Sequence, residues 1–467
     1  MFSGYSFLVS LGYAVVTLGI VAFEARRTRR SGPDVISMFI LLFVIQCCLP
    51  GIVMYACLPL VERSAPTDVQ AFDRIYTAAD LSTALTVLGL TAWFVIFFYG
   101  FTALNGRLLK TLANRPANES RLLISGSPLR LMTVLTLGLI LSIASLYTLG
   151  SSLAEGYKNL ILYRADLEGG QESVLVGFGF ALSQCWTWLA VLALFAIYEH
   201  RGRGPTWFLC LSFLVAFVLF GVSRRAVFIP ALLAYVTLVL FDHRWRAKWL
   251  LAVVIPLVLW IAFGKELIGI WAFNGTLADV TGRYETLSAA FLRAASDIGI
   301  TVVESLGSIS LLDIPPRFGV DHLLSVFRTI PTGHIWLGTM PERIVRLSTA
   351  AFASPQDEDI PPGLFGQMWM DFRVFGPVVW ALGMSVQMSV LQHFYSLTVR
   401  TRQAVALFAL VTFIVALPIN TGSYDFTFSI DIYVLLICIL LTFRFGRLWL
   451  PAQREPAVTR VADQDRA

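Results

Sequence analysis

The sequence is poor in charge: Asp, Glu, Lys and Arg make up only 14% of the chain, whereas hydrophobic residues make up 57%. A soluble protein of 467 residues needs a far larger charged surface, so this composition excludes the soluble globular class. Apolar runs of about 18 to 25 residues recur along the chain, and each is long enough to cross a hydrocarbon core of roughly 30 Å. The sequence therefore predicts an all-α polytopic membrane protein.

The chain also lacks the short motifs that bind nucleotides or metals. It has no P-loop, no GxSxG, no HExxH and no CxxC, and its six cysteines lie almost entirely in apolar runs, where they are predicted to be small buried hydrophobes. His322 and His334 have no close carboxylate pair beside them. We therefore predict no metal site and no cofactor. The net charge of +5 is modest, and we expect no nucleic-acid partner.

The apolar runs give a count of about eleven membrane spans. They lie at about 5–23, 35–60, 80–103, 130–149, 174–198, 206–222, 226–242, 249–268, 374–395, 403–420 and 429–445. With this count, every short basic segment falls on one side: "EARRTRRSG", "NGRLLKTLANRPANESR", "EHRGRG", "DHRWRAK", "TVRTR" and the tail from Arg444. Since positive loops stay in the cytoplasm, we predict a periplasmic N-terminus and a cytoplasmic C-terminus.

This layout divides the chain into four parts. Spans one to eight occupy 1–268, a large outer loop occupies 269–373, spans nine to eleven occupy 374–446, and 447–467 form a cytoplasmic tail. Apolar residues at helical spacing in "LSAAFLRAASDIGITVVESL" predict short amphipathic helices within the loop. The segments "DIPPRFG" and "EDIPPGLFG" mark turns in it.

Two adjacent arginines, Arg224 and Arg225, stand in "LFGVSRRAVFIP", where span six ends at the outer face and span seven begins. These two arginines are not on a predicted cytoplasmic loop, so the positive-inside rule does not explain them. One reading is that both side chains reach up to lipid headgroups at a tight turn. The other is that they face a cavity and hold an anion, since a charge at membrane depth costs about 2.5–3.5 kcal/mol and tends to be functional. Guanidinium suits phosphate because it offers fixed bidentate donors.

The outer segments combine several cations with several candidate bases, a mixture that suits a transfer in which a lipid diphosphate leaves. Arginines would neutralise the charge on the leaving diphosphate, and a carboxylate or histidine would take the proton of the attacking hydroxyl. The candidate cations are Arg164, Arg224, Arg225, Arg283 and Arg328, and the candidate bases are Glu342, His334 and Asp371. Tyr163, Tyr284, Trp336 and Trp369 are candidates for stacking on sugar rings or for anchoring at the membrane interface, and Tyr424, Asp425 and Asp431 for closing the site.

Residues 361–391, "PPGLFGQMWMDFRVFGPVVWALGMSVQMSVL", resemble the bacterial oligosaccharide-repeat-unit polymerases, the Wzy-type O-antigen polymerases. The matching positions are Gly363, Phe365, Gly366, Gln367, Trp369, Asp371, Phe375 and Gly376. "DHLLSVFRTIPTGH" in the outer loop and the short turn before span seven are also similar to members of that family. The chain departs from it in one respect: no outer-loop arginine is followed eleven positions later by glycine. The resemblance therefore assigns no role to Arg164, Arg225 or Arg283.

The resemblance implies a metal-independent membrane glycosyltransferase of the GT-C type in the bacterial inner membrane. Such an enzyme joins undecaprenyl diphosphate-linked oligosaccharide units at the periplasmic face, surrounded by membrane lipid, with a polysaccharide chain-length regulator as a further partner. Three alternatives stay open. An O-antigen ligase uses the same donor and carries a histidine-centred motif in its large loop, for which His322 and His334 are candidates. The others are a lipid-linked oligosaccharide flippase or transporter and a structural membrane subunit.

Overall fold

The computed structural model describes residues 3–60, 80–112, 120–149, 298–329, 361–399, 401–422 and 430–449, with a few single positions between them. These ranges are almost entirely helical. The helices, numbered in the order in which the described residues contain them, are α1 (Ser3–Ser31), α2 (Val35–Phe43), α3 (Leu49–Cys57), α4 (Leu81–Leu112), α5 (Pro128–Leu149), α6 (Ile300–Leu311), α7 (Val320–Thr329), α8 (Leu364–Phe372), α9 (Gly376–Leu397), α10 (Arg402–Val415), α11 (Leu417–Thr421) and α12 (Ile430–Thr442). Two strands, β1 (Ser120–Gly126) and β2 (Phe443–Trp449), complete the described chain.

Four helical segments are long and apolar enough to span a membrane: Tyr5–Arg29, Val35–Leu60, Leu81–Leu109 and Leu364–Leu397. They coincide with the predicted spans one, two, three and nine. The predicted spans between 174 and 268 lie outside the described residues, so the count of about eleven stays a prediction. The described chain is thus a helical protein with the long apolar helices of a membrane protein.

Helices α1 and α2 form a hairpin that an ion-pair network closes. The chain turns at Gly32, whose φ of 71° places it in the left-handed region. Arg27 donates two hydrogen bonds to Asp34, at 2.8 and 2.7 Å, and two to Glu24, both at 2.9 Å. Asp34 also caps α2 by accepting from the Ser37 N–H. These contacts tie the end of the first span to the start of the second.

One part of the core is an aromatic stack between α2 and α4. Phe39 stacks on Phe98 with ring centroids 4.6 Å apart, and Phe43 stacks on Phe94 at 5.2 Å. After Phe43 the helix widens into a π turn at Val44–Cys48 before α3 begins. All four rings are buried, so this aromatic stack removes much apolar surface from solvent and joins predicted spans two and three.

The apolar segment Leu364–Leu397 is interrupted by a sharp turn at Arg373, next to the predicted start of span nine at 374. Arg373 has a φ of 52°, which is unusual for a residue with a side chain, and it ends α8. A Cβ on Gly376 would overlap the Met368 carbonyl oxygen, so glycine permits the close turn. The longer part of the segment is α9, whose 22 residues extend about 33 Å.

Helix α8 begins inside the protein, where α6 caps it. Gly363 precedes α8 with a φ of 68° and provides no side-chain cap. Instead, the Leu364 N–H donates to Thr301 Oγ1 at 2.8 Å, and the Phe365 N–H donates to Ser305 Oγ at 3.1 Å. The hydroxyls of α6 therefore satisfy the first two donors of α8. As a result α6 and α8, both within the predicted outer loop, are buried against each other.

Replacing Gly363 with alanine is expected to destabilise the protein by about 2 kcal/mol or more. An alanine there must adopt a left-handed φ, and its Cβ would overlap the Thr301 carbonyl oxygen and lie 2.7 Å from Ser305 Oγ. The matched control is Gly383→Ala in α9, where a Cβ meets nothing within 4 Å. Thermal unfolding in detergent should show a lower midpoint for Gly363→Ala and an unchanged or slightly higher one for the control. Equal midpoints would contradict the described packing.

An antiparallel β-ribbon, which the all-helical prediction did not include, joins three of the predicted cytoplasmic segments. Strand β1 pairs with β2, and Leu122 also accepts from the Val399 N–H at 2.8 Å, in the connection between α9 and α10. Gly126 N donates to Gln403 Oε1 at 2.6 Å. Span eleven was predicted to continue to 445, but strand β2 already begins at Phe443. The three basic segments thus meet in space, and which side of a membrane they face stays a prediction.

Candidate functional site

The predicted site residues fall mostly outside the part of the chain that the structure describes. Arg164, Arg224, Arg225, Arg283, Tyr284, His334 and Glu342 lie outside it, as do Tyr163, Trp336, Tyr424 and Asp425. Arg328 is in α7 and Asp431 in α12, without a described side chain. Asp371 and Trp369 are described fully, and Asp371 lies at the centre of the best-defined polar cluster.

Asp371 stands at the end of α8, and its side chain is fully buried. Its Oδ1 accepts from Gln367 Nε2 at 3.0 Å, one helical turn earlier, and from the Gly319 N–H at 3.3 Å. Its Oδ2 lies 2.9 Å from His322 Nε2 and 3.4 Å from Trp380 Nε1. A buried carboxyl group needs such donors, because without them its desolvation would cost several kcal/mol.

His322 reaches Asp371 from a tight turn before α7. Gly319 has a φ of 74° and Phe318 a φ of 53°, so two consecutive residues take the left-handed conformation. Helix α7 starts at Val320, which places His322 in its first turn. The imidazole packs against the Trp380 ring at 4.7 Å between centroids and nearly perpendicular, at 85°. The indole thus holds the imidazole in place opposite the carboxyl group.

The two turns that carry this pair are joined backbone to backbone. Arg317 N donates to the Met370 carbonyl at 3.0 Å, and Phe318 N donates to the Asp371 carbonyl at 3.1 Å. Arg317 also binds Asp321 through two hydrogen bonds, at 2.5 and 2.9 Å, across one turn. These contacts fix His322 relative to Asp371, since both ends of the turn are anchored.

The two members of the pair differ in their exposure. The His322 side chain is 19% exposed, whereas the Asp371 side chain has no exposed surface. A molecule from outside can therefore contact part of the imidazole ring, whereas the Nδ1 atom and the carboxyl group are both buried. An ionised carboxylate only accepts hydrogen bonds, so in this arrangement Nε2 carries the proton and Nδ1, which is buried, does not.

Exposed aromatic and aliphatic side chains lie around this pair, on the turns before α7 and α9. Phe318 and Phe375 are each 69% exposed, and Val374 is 65% exposed. The Arg373 guanidinium lies 5.5 Å from the centre of the Trp369 ring and donates to the Ile314 carbonyl. Trp369 therefore stacks on a cation within the protein, a contact that the sequence did not predict for it.

Sequence reasoning named His322 only as a feature of the ligase alternative, and it missed Trp380 and Gly319. One signal was available: "DIPPRFG" at 313–319 and "DIPPG" at 359–363 share the same Asp-Ile-Pro-Pro start, and each comes directly before a short helix. This similarity indicates two turns. It does not reveal that the helices that follow them meet at His322 and Asp371.

Within the described ranges, no group of three or more His, Cys, Asp or Glu side chains comes together as a metal would require. The cluster is thus a histidine–carboxylate pair on adjacent helix ends in a helical membrane protein. Comparison of the chain with protein-family models, with curated proteins and with solved structures finds no match to any of them.

Proposed function

We propose that the protein is a polysaccharide polymerase that joins oligosaccharide repeat units carried on undecaprenyl diphosphate, with His322 as the general base. The His322–Asp371 pair carries the proposal, because a partly exposed imidazole is held by a fully buried carboxyl group. The proton acceptor is Nδ1, which the structure encloses and which a sugar hydroxyl reaches by displacing the side chains that cover it. The long apolar helices and the resemblance of residues 361–391 to the Wzy-type polymerases support it.

In the proposed reaction, His322 accepts the proton of a hydroxyl group at the non-reducing end of one lipid-linked unit. The hydroxyl oxygen forms a bond to the anomeric carbon of the growing chain. The bond from that carbon to the diphosphate oxygen breaks, and the lipid diphosphate leaves with the electron pair. Arg164, Arg224, Arg225, Arg283 and Arg328 are the proposed cations for the leaving diphosphate, with Tyr284 beside them.

Asp371, which the sequence indicated as a candidate base itself, takes a different part in this proposal. With no exposed surface it orients His322 and stabilises the imidazolium that forms when the proton is taken. Glu342 and His334 stay as the other candidate bases.

A gel of surface polysaccharide from cells lacking this gene tests the function. Loss of the polymer ladder, with survival of lipid A core that bears one repeat unit, is the expected result, because single units would still be exported and ligated. Loss of the single-unit band as well would contradict a polymerase and point to failed ligation or flipping.

One observation favours the second candidate, an O-antigen ligase. O-antigen ligases share a histidine-centred motif in the large loop. Among the described residues of the predicted outer loop, His322 is a histidine that lies in a polar cluster. The chemistry of the donor is the same in both enzymes, so the surviving single-unit band distinguishes them.

A further inference from the structure

Glu304 lies in the middle of α6, and its side chain is buried inside the helical bundle at 3% exposure. Helix α6 packs against α4, α8, α11 and the π turn at Val44–Cys48. The neighbouring polar residues of α6, Thr301, Ser305 and Ser308, have no exposed surface either. The mechanism proposed above uses none of these side chains, so the carboxyl group needs a separate explanation.

The hydroxyl groups closest in sequence to Glu304, those of Thr301 and Ser305, already form hydrogen bonds with other groups. Thr301 Oγ1 and Ser305 Oγ accept from the first two N–H groups of α8, and Ser305 Oγ donates to the Thr301 carbonyl at 2.5 Å. Among the described residues, no hydrogen-bond partner lies at Glu304 Oε2 or at Ser308 Oγ. An ionised carboxylate in such surroundings would be desolvated without compensation, whereas a protonated one would not.

The described elements that pack on α6 place few cations near it. Helix α11 contains no titratable side chain, and the π turn contributes only two thiols. The titratable side chains of the other packed elements and of the adjoining site are Asp371, Arg373 and His322 towards the end of α8, and Tyr99, Arg107 and Lys110 on α4. Arg373 is engaged by the Ile314 carbonyl and Trp369, and Tyr99 donates to Glu24. These contacts therefore provide no cation that would stabilise an ionised Glu304 side chain.

We propose that Glu304 is a proton-binding site within the bundle: the folded protein holds a proton on its carboxyl group and releases it only when α6 and α8 separate. Because α6 caps α8, and α8 carries Asp371, a negative charge on Glu304 would weaken the contact that supports the His322–Asp371 pair. The inference does not depend on the proposed polymerase activity. It concerns the protonation of one side chain and is tested on the purified protein.

An apolar carbodiimide, N,N′-dicyclohexylcarbodiimide, is the first probe, because it reacts with protonated carboxyl groups in apolar surroundings. Purified full-length protein in detergent is treated at pH 7, and the peptide that contains Glu304 is analysed by mass spectrometry. We expect an adduct on Glu304 that is absent in Glu304→Gln. Asp80 is the internal control: the Thr83 N–H, at 2.7 Å, holds the pKa of this exposed carboxyl below its usual range, so it should stay unmodified.

The pH dependence of unfolding decides the matter even if the reagent cannot enter the bundle. In the unfolded chain Glu304 ionises above about pH 4.3, while the folded protein keeps its proton, so the folded state binds more protons and raising the pH favours unfolding. Glu304→Gln imitates the protonated acid and lacks this effect. Relative to Glu304→Gln, the melting temperature of the wild type should fall steadily from pH 5 to pH 8. The same pH dependence in both proteins would overturn the proposal, because Glu304 would then titrate alike in both states.

Discussion

Cells that carry His322→Ala in place of the wild type are expected to make at least about a hundredfold less polymer, the usual loss when a general base is removed. The imidazole is the partly exposed member of the pair, and the neighbouring carboxyl group cannot replace it, since its side chain is fully enclosed. The measurement is the amount of polymer ladder on a gel, normalised to the amount of protein in the membrane. Lipid A core with a single repeat unit should persist.

His393→Ala is the matched control for this experiment. His393 is a half-buried histidine towards the opposite end of α9 from the site, so its replacement should leave the ladder unchanged. Asp371→Asn should lie between the two, because asparagine keeps the shape of the side chain but no longer fixes the Nε2 proton. A full ladder in His322→Ala cells would rule out His322 as the base and leave Glu342 and His334 as the candidate bases.

The second large effect is expected in stability. Arg27→Ala should lower the free energy of unfolding by about 2 kcal/mol or more, because it leaves Asp34 and Glu24 without their shared cation. The Arg27 side chain is 22% exposed and that of Asp34 is 8% exposed, so the loss should exceed the 0–1 kcal/mol of a surface pair but fall below that of a fully enclosed one. The expected loss is this large because both carboxylates have further structural roles. Asp34 caps α2, and Glu24 accepts a hydrogen bond from the Tyr99 hydroxyl at 2.8 Å.

Arg26→Ala is the control for Arg27, since Arg26 is the preceding arginine of the same basic segment and its side chain is exposed. Thermal or denaturant unfolding in one detergent compares the two variants at equal protein concentration. Each variant removes one positive charge from the same predicted cytoplasmic segment, so the two variants change the predicted orientation signal equally. Equal stabilities would show that the network adds nothing, whereas a loss confined to Arg27→Ala would confirm that it closes the α1–α2 hairpin.

Hydropathy alone predicts the long helices well, because a span must satisfy all its backbone donors within itself. The predicted spans at 5–23, 35–60 and 80–103 correspond to α1, to α2 with α3, and to α4. The break at Arg373 lies next to the predicted start of span nine at 374, but the sequence did not show that α8, before the break, packs inside the bundle, where Gly376 contacts Met368. The β-ribbon was missed for a similar reason, since β1 and β2 pair residues that are hundreds of positions apart.

The site was predictable only in part. Asp371 was identified from a short motif, but its partner His322 lies 49 positions away, and no local pattern specifies that the two turns join through Arg317 and Phe318. The capping of α8 by Thr301 and Ser305 bridges a still longer separation. Contacts of this kind depend on how helices pack, and a single sequence shows helix propensity and burial much more directly than it shows partners.

Reconstitution of the purified protein tests the central claim most directly. The protein is placed in lipid nanodiscs with undecaprenyl diphosphate-linked repeat units, in the presence of EDTA, and the products are separated by size. The account predicts a ladder of longer chains on the lipid diphosphate with the wild type and with His393→Ala, and no ladder with His322→Ala. Unchanged single units with the wild type, although the same preparation is folded and binds the lipid-linked substrate, would contradict it.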